Sequence, residues 1–515
     1  MRRKLAYEMG GPERIEDQRN RGKLPVRERI DLLIDPGSLR EVGVLAGHAE
    51  YEGGTLKSFK PKNYVYGQAT IGGKPVILAA DDFTSRPPSG SAGVGHREIG
   101  QDATATSSPQ RMALDLKLPL VRLIDAVGHD VRGIRAAGRS FIPDRYWANS
   151  HLALSLYNEV PIVAAALGPL AGHAAAEIAA THFSVMVRGI SQVFAAGPPV
   201  VRRSLSQEVT KEELGGYMVA SRSSGLIDNE AETEAQAFEQ IRRFLSYMPR
   251  SVHHMPPVVP TDDPADRREE ELLSIIPRNR NRPYNVRKLL SLVFDKDSLF
   301  EMGQYYGRAA VTMLGRLNGY PVGVIGHDPL VNGGGIDAAA AQKVERFIDL
   351  CDTFNIPIVD IFDVPGFMVG KTAEAEGTLK HGIRMLFAIE ETRVPWASVL
   401  VRRVYGVAGV AHRPHTRYTF RVGWPSGEWG GLPIEGGVDA AYRREIEAAE
   451  DPAAYRAALE AEFAALRSPF RVAETLGIED IIDPRDTRPL LCRWVESAYE
   501  LLPLTLGRKN RGARP

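Results

Sequence analysis

One order of elements is written twice along this chain. In the first half the strand Val65-Tyr66-Gly67-Gln68-Ala69-Thr70-Ile71 turns at Gly72-Gly73-Lys74 into the apolar run Pro75-Val76-Ile77-Leu78-Ala79-Ala80, a hairpin pattern. A helix over about 111–118, a strand over 120–125 ending at Val127-Gly128, a helix over about 146–158 and the apolar run 161–167 follow. In the second half a strand pair over about 309–317 and 321–326 turns at Asn318-Gly319. A glycine loop at 332–335, a helix over 338–355, a strand over 357–363 ending in Val364-Pro365-Gly366, and the run 394–401 come next. Gly172 lies 47 positions beyond Asp125, and Gly406 lies 43 beyond Asp363. Like order at like spacing indicates a duplicated unit, and strands alternating with helices make each copy α/β.

Each copy ends in the same local device. The run 161–167 is short, apolar and bounded by turn residues, so it reads as a buried strand. Gly168-Pro169 breaks it, and the alanine-rich stretch 171–180 favours a helix beginning near Gly172. A strand that turns tightly into a helix leaves the first amides of that helix without partners. With the positive end of the helix dipole, they suit a developing oxyanion. The small side chains of Ala171 and Gly172 let a carbonyl approach the backbone. Val404-Tyr405-Gly406-Val407-Ala408-Gly409 repeats the device. Taken singly, either copy fits ordinary alanine packing; two copies at like spacing favour two oxyanion sites.

The 515 residues exceed one simple core, and a proline-rich, charged stretch suggests where to divide them. The expected organisation is an N-terminal domain over 1–248, a linker over 249–283 and a C-terminal domain over 284–515. The charged run 267–271 is expected to be solvated. Residues 1–47 read as charged helices, with Val26, Ile30, Leu33 and Ile34 on one face. Lys+Arg and Asp+Glu number 64 each, so net charge gives no reason to expect a nucleic-acid or anionic-membrane partner. No apolar span approaches membrane length. The two cysteines, Cys351 and Cys492, are far apart, which fits packing residues in a reducing compartment. The basic start has no apolar stretch behind it, unlike a signal peptide. A cytoplasmic location is expected.

Several motifs together carry a resemblance over nearly the whole chain. They are Gly22-Lys23-Leu24, Arg27-Glu28-Arg29-Ile30, Glu208-Val209-Thr210-Lys211-Glu212-Glu213-Leu214-Gly215-Gly216, Phe354-Asn355-Ile356-Pro357, Asp363-Val364-Pro365-Gly366-Phe367 and Trp424-Pro425-Ser426-Gly427-Glu428. The chain resembles the carboxyltransferase (β) subunit of biotin-dependent acyl-CoA carboxylases, the propionyl-CoA and methylcrotonyl-CoA carboxylase group. The resemblance implies two tandem crotonase-like ββα superhelical domains, the N-terminal one binding acyl-CoA and the C-terminal one carboxybiotin. It implies an active site between the N-domain of one subunit and the C-domain of another, in a homo-hexamer (a trimer of dimers). The sequence holds no biotin-acceptor segment of the Ala-Met-Lys-Met type and no glycine-rich ATP loop. Biotin and its carboxylation are therefore expected on a partner, a biotin carboxylase or biotin carboxyl carrier subunit, with a coenzyme A thioester as substrate and no metal in this chain.

Charge must build on two carbonyl oxygens, the thioester's and the biotin ureido's. Removing one preorganised donor to such an oxygen costs about 3–4 kcal/mol. The freed biotin nitrogen can serve as base, so no catalytic His or Glu is required. By resemblance the Gly172 and His173 amides hold the thioester oxygen, and the Val407 and Ala408 amides the ureido oxygen. Ala171, Gly128, Tyr405, Gly406, Gly409, Val410 and Phe367 are expected to line the substrates.

The chain also departs from the family pattern. Gly172-His173 stands where the family has Gly-Gly, and Gly406-Val407-Ala408-Gly409-Val410 stands where it has Gly-Gly-Ala-Tyr-Asp. A β-branched Val407 resists φ > 0, and Pro414 shortens any helix after Ala408. Val410 replaces the Asp of propionyl-type members, so a larger or more apolar acyl group is expected. The His173 side chain suits an acid or a substrate contact, and lining of the pocket is the favoured expectation. The cluster Arg402, Arg403, Arg413, His415, Arg417 and Arg421 suits a carboxylate of biotin or substrate, and equally a solvated or subunit-contact face. Two alternatives stay open. One is a biotin-linked acyl-CoA decarboxylase subunit; the other is a catalytically altered paralogue acting as a CoA-binding scaffold.

Overall fold

The computed structural model describes residues 2–85, 108–127, 138, 150–279, 281–415, 418–509 and 512–514. The chain divides into two units, Met1–His254 with Gly507–Pro515, and Met255–Leu506. The first contains β1 (Arg40–Glu41), β2 (Gly47–Glu52), β3 (Thr55–Pro61), β4 (Tyr64–Ile71), β5 (Lys74–Asp81), β6 (Leu120–Ile124), β7 (Ile162–Ala166), β8 (Pro169–Ala171), β9 (Phe183–Val187), β10 (Gln192–Phe194) and β11 (Asn229–Ala231). Its seven-stranded sheet runs β1-β4-β5-β6-β7-β9-β11, with β8 and β10 paired separately. The second contains β12 (Phe300–Met302), β13 (Ala310–Leu317), β14 (Tyr320–His327), β15 (Ile358–Val364), β16 (Trp396–Tyr405), β17 (Thr419–Gly423), β18 (Glu428–Gly430) and β19 (Asp480–Ile481). Its main sheet runs β12-β13-β14-β15-β16-β17-β19, with β18 on β16.

The two sheets match strand for strand. Each opens with a short antiparallel edge and an antiparallel hairpin, then continues parallel. The central parallel strands are covered on both faces, and every residue of β7, β9 and β15 is buried. Side chains repeat as well. Asp35 accepts the Gly72 and Gly73 N–H groups, each at 2.9 Å, at the first hairpin turn. Asp295 accepts those of Asn318 and Gly319, at 2.9 and 2.8 Å, at the second. Arg27 grips Glu41 with two bonds (2.6 and 3.2 Å), and Arg287 grips Glu301 in the same way (2.9 and 2.6 Å). The duplication extends from backbone topology to individual ion pairs.

Some expectations need correction. The β2–β3 hairpin was not legible, because its strands are largely exposed and carry few apolar residues. β10 stops at Phe194, and Pro198–Leu205 is a helix, although the run 191–199 reads as strand-like in the sequence; proline at the helix's first two positions is prearranged for a helix start. The helix expected over 146–158 is described as Ser150–Tyr157, and 146–149 lie outside the described residues.

The expected linker 249–283 is shared out: 249–254 fall in the first unit and 255–283 in the second. Its charged run is not wholly solvated. Arg267 bonds Asp263 at 2.6 Å and donates to the Leu292 and Phe294 carbonyls at 2.9 and 3.0 Å, because two open carbonyls and a carboxylate converge there. The end of the chain belongs to the first unit: Gly507 N–H meets Val252 O at 2.8 Å, Arg508 bonds Glu159 at 2.5 Å, and Ala513 is buried in the core.

Candidate active site

In the first unit β7 gives way at Gly168 to β8, and Gly172 then caps the helix His173–Ala179. Gly168 has to be glycine. A Cβ there would stand 2.2 Å from Asp125 Oδ1, at the place where Asp125 meets Lys23 (2.6 Å) and Arg29 (2.8 Å). Arg29 also bonds Glu234 at 2.7 and 2.8 Å, so this buried network fixes the strand ends around the turn. Gly172 has φ 60° and ψ −118°, a backbone state open essentially to glycine alone.

The Gly172 N–H donates to Ala195 O at 3.1 Å, extending the β8–β10 pairing by one residue. The Gly172 amide thus pairs with the sheet, and the first helical turn carries the amides of His173 and Ala174. Ala171 is half-buried at the end of β8; Ala174 lies in the core with Leu170 and Ile178. The His173 imidazole points along its own helix to Glu177, Nε2 to Oε1 at 3.2 Å, with both side chains about four-fifths buried. Gly128 lies outside the described residues.

The second unit repeats the arrangement. β16 ends at Tyr405, and Gly406 (φ 63°, ψ −159°) leads into the 3-10 helix Val407–His412. The Gly406 N–H donates to Gly430 O at 3.2 Å, extending the β16–β18 pairing just as Gly172 extends β8–β10. Because Gly406 takes the positive φ, Val407 keeps ordinary helical dihedrals. The helix stays 3-10 and ends at Arg413, extended before Pro414. Gly409 N–H bonds Gly406 O at 3.0 Å, while no described residue accepts from the Val407 or Ala408 N–H. Val407 and Val410 are exposed, and Ala408 and Gly409 are buried. Tyr405 donates its hydroxyl to Glu428 at 3.2 Å beneath the Arg467 guanidinium. Phe367 sits after β15, bridged to Ile336, with its ring where a Cβ on Gly382 would need to be.

The basic cluster is already answered by protein acceptors. Arg402 and Arg403 both bind Asp363, at 2.8 Å each. Burial alone would raise the Asp363 carboxyl, but the Arg403 and Arg402 guanidinia hold it below the usual carboxylate range. Arg413 and Arg421 share Glu479 at 3.4 Å each, and His415 meets Glu390 at 2.6 Å. Arg417 lies outside the described residues. Sequence reasoning passed over His412, whose ring touches the Gly406 turn directly; its one signal was a histidine ending the repeated strand–turn–helix. Among the described residues no group of three or more His, Cys, Asp or Glu is placed to hold a metal ion, and no helix is long and apolar enough to cross a membrane.

The carboxyl transferase domain family matches residues 17–510. The chain belongs to this family. It is 34% identical over 493 residues to the propionyl-CoA carboxylase carboxyltransferase subunit of Haloferax mediterranei, covering 95% of this chain and 92% of that one. It is 32% identical to the methylmalonyl-CoA decarboxylase subunit alpha of Veillonella parvula, covering 93% and 91%. A crystal structure of transcarboxylase 12S, described as a hexamer with methylmalonyl-coenzyme A and methylmalonic acid bound, superposes with a TM-score of 0.83 at 30% identity, covering 99% and 95%. The fold is thus the crotonase-like carboxyltransferase fold. Membership of this family makes the chain a carboxyltransferase.

Proposed function

We propose that the chain moves a carboxyl group between carboxybiotin and an acyl-CoA, with the His173 and Ala174 amides facing the thioester oxygen and the Val407 and Ala408 amides facing the biotin ureido oxygen. One observation carries this reading. In both units a glycine at positive φ gives its own N–H to a flanking strand, and the next two amides open a helix. Carboxybiotin supplies the carboxyl group, and its freed ring nitrogen supplies the base. The chain's part is electrostatic. Amides fixed in place before reaction oppose charge as it forms on each carbonyl oxygen, and fixed dipoles need no reorganisation. Neither site requires an acidic or basic side chain for this, which fits the engagement of Asp363, Arg402 and Arg403 with one another.

The domains divide the work in this reading, with 1–248 taking acyl-CoA and 284–515 taking biotin, in a homo-hexamer like that of transcarboxylase 12S. The relatives act on propionyl-CoA and methylmalonyl-CoA by name. The exposed Val410 favours a larger or more apolar acyl group here. Both cysteines are free and buried, which fits a cytoplasmic enzyme.

The Veillonella relative supports a second reading, the decarboxylase direction. The Gly406 turn keeps its two amides despite Val407 and Pro414, which favours turnover over a scaffold role. Coexpression with a biotin-bearing partner, followed by bicarbonate fixation on a panel of acyl-CoAs, tests all three. Fixation supports the carboxylase. Release of CO2 from a malonyl-type thioester without fixation supports the decarboxylase, and a complex without turnover supports the scaffold.

A further inference from the structure

His412 ends the 3-10 helix that follows Gly406, and both of its ring nitrogens are engaged. Nδ1 lies 2.6 Å from Gly409 O. A carbonyl can only accept, so Nδ1 carries the proton and Nε2 is left as an acceptor. Arg421 Nη1 fills that role at 2.7 Å. Arg421 is held in turn by Gly477 O and by Glu479. The main-chain oxygen of His412 is bonded too, by Trp396 Nε1 at 2.9 Å and by the Ser398 hydroxyl.

These contacts pin the turn at its far end, as Gly430 O pins it at Gly406. The Gly409 peptide is held on both sides, its N–H by Gly406 O and its carbonyl by the His412 ring. Val407 and Ala408 lie between these two anchors. We propose that His412 is a positioning residue for carboxyl transfer, its Nδ1–H bracing Gly409 O so that the Val407 and Ala408 amides keep their direction. The proposal rests on the role assigned above to those amides. Burial, with Arg421, Arg413 and His415 nearby, lowers the His412 pKa to about 4 against the opposing bond to Gly409 O. The ring therefore holds this single tautomer at neutral pH.

The test uses the full chain with free biotin as carboxyl acceptor and, as donor, the malonyl-type thioester matching the acyl-CoA that the panel selects. Val407→Pro removes one amide directly at the first helical position, where proline is tolerated. It is expected to lower kcat about 100-fold. His412→Gln, which reaches toward Arg421 and leaves Gly409 O unbraced, is expected to lower kcat about 10- to 100-fold with the thioester KM unchanged. His412→Asn, which returns an N–H near Gly409 O, is expected to recover most of that loss. Thermal unfolding of each variant separates misfolding from a displaced turn. Slow Val407→Pro with fast His412→Gln, or folded Asn and Gln variants that are equally slow, overturns the positioning role alone. Val407→Pro at the parent rate overturns the amide reading, and the positioning role with it.

Discussion

Gly172 and Gly406 hold the same place in the two copies of the unit. Both have φ near +60°, and each gives its N–H to the parallel strand beside it, at 3.1 and 3.2 Å. A side chain at either position meets a backbone state that L residues rarely adopt, at a cost of about 1–3 kcal/mol. Gly172→Ala and Gly406→Ala should each lower stability by that order and depress turnover far more than the small stability loss explains. Denaturant midpoints measured beside kcat decide it, and an alanine variant with parental turnover counts against the turn as the reacting site.

The network at Asp125 should be the most sensitive ionic feature of the first unit. Asp125→Ala leaves Lys23 and Arg29 buried with one carboxylate, Glu234, where two had been. Removing one partner of a buried pair costs about 3–5 kcal/mol. Urea unfolding should show that loss, and it should exceed the effect of Asp115→Ala, whose partner Arg111 is exposed.

Glu159 gives stability a definite acid limb. Burial alone would raise its carboxyl, but Lys117, Arg508 and His253 together hold it down to about 2, below its ordinary 4.5. A folded-state pKa below the unfolded one means the stabilisation is complete above about 4.5 and is lost as pH falls through about 2. Melting temperature followed across that interval should fall, and Glu159→Gln should fall less steeply.

Val410 offers a handle on the acyl group. It is exposed beside the Gly406 turn, and the family resemblance implies an aspartate at this position in propionyl-type members. Val410→Asp should move preference toward propionyl-CoA, changing the kcat/KM ratio of propionyl to longer acyl groups by about tenfold. An unchanged ratio places acyl selection elsewhere.

Topology was legible because a hairpin, an aspartate-tipped strand and a glycine-led helix recur, and each leaves a local mark. Hydrophobic runs located β5 to β7 and β13 to β16, which are buried along most of their length, and alternation located β4. The β2–β3 hairpin left no such mark. The bond of the Gly172 amide was not legible, because sequence shows where a helix starts and not which amide the neighbouring strand has taken. Only the Ala195 contact reveals that. His412 was missed for a like reason: its partners Gly409, Arg421 and Trp396 meet it through folding, and no spacing announces them.

The return of residues 507–515 to the first unit bears on how this protein can be dissected. A fragment ending at His254 would lack Arg508, one of the cations on Glu159, and Ala513, which fills part of the core around Leu118 and Tyr157. Autonomous production of the first unit therefore calls for grafting those last residues back on, and a bulky fusion placed directly after residue 515 would burden the half farthest from it in sequence.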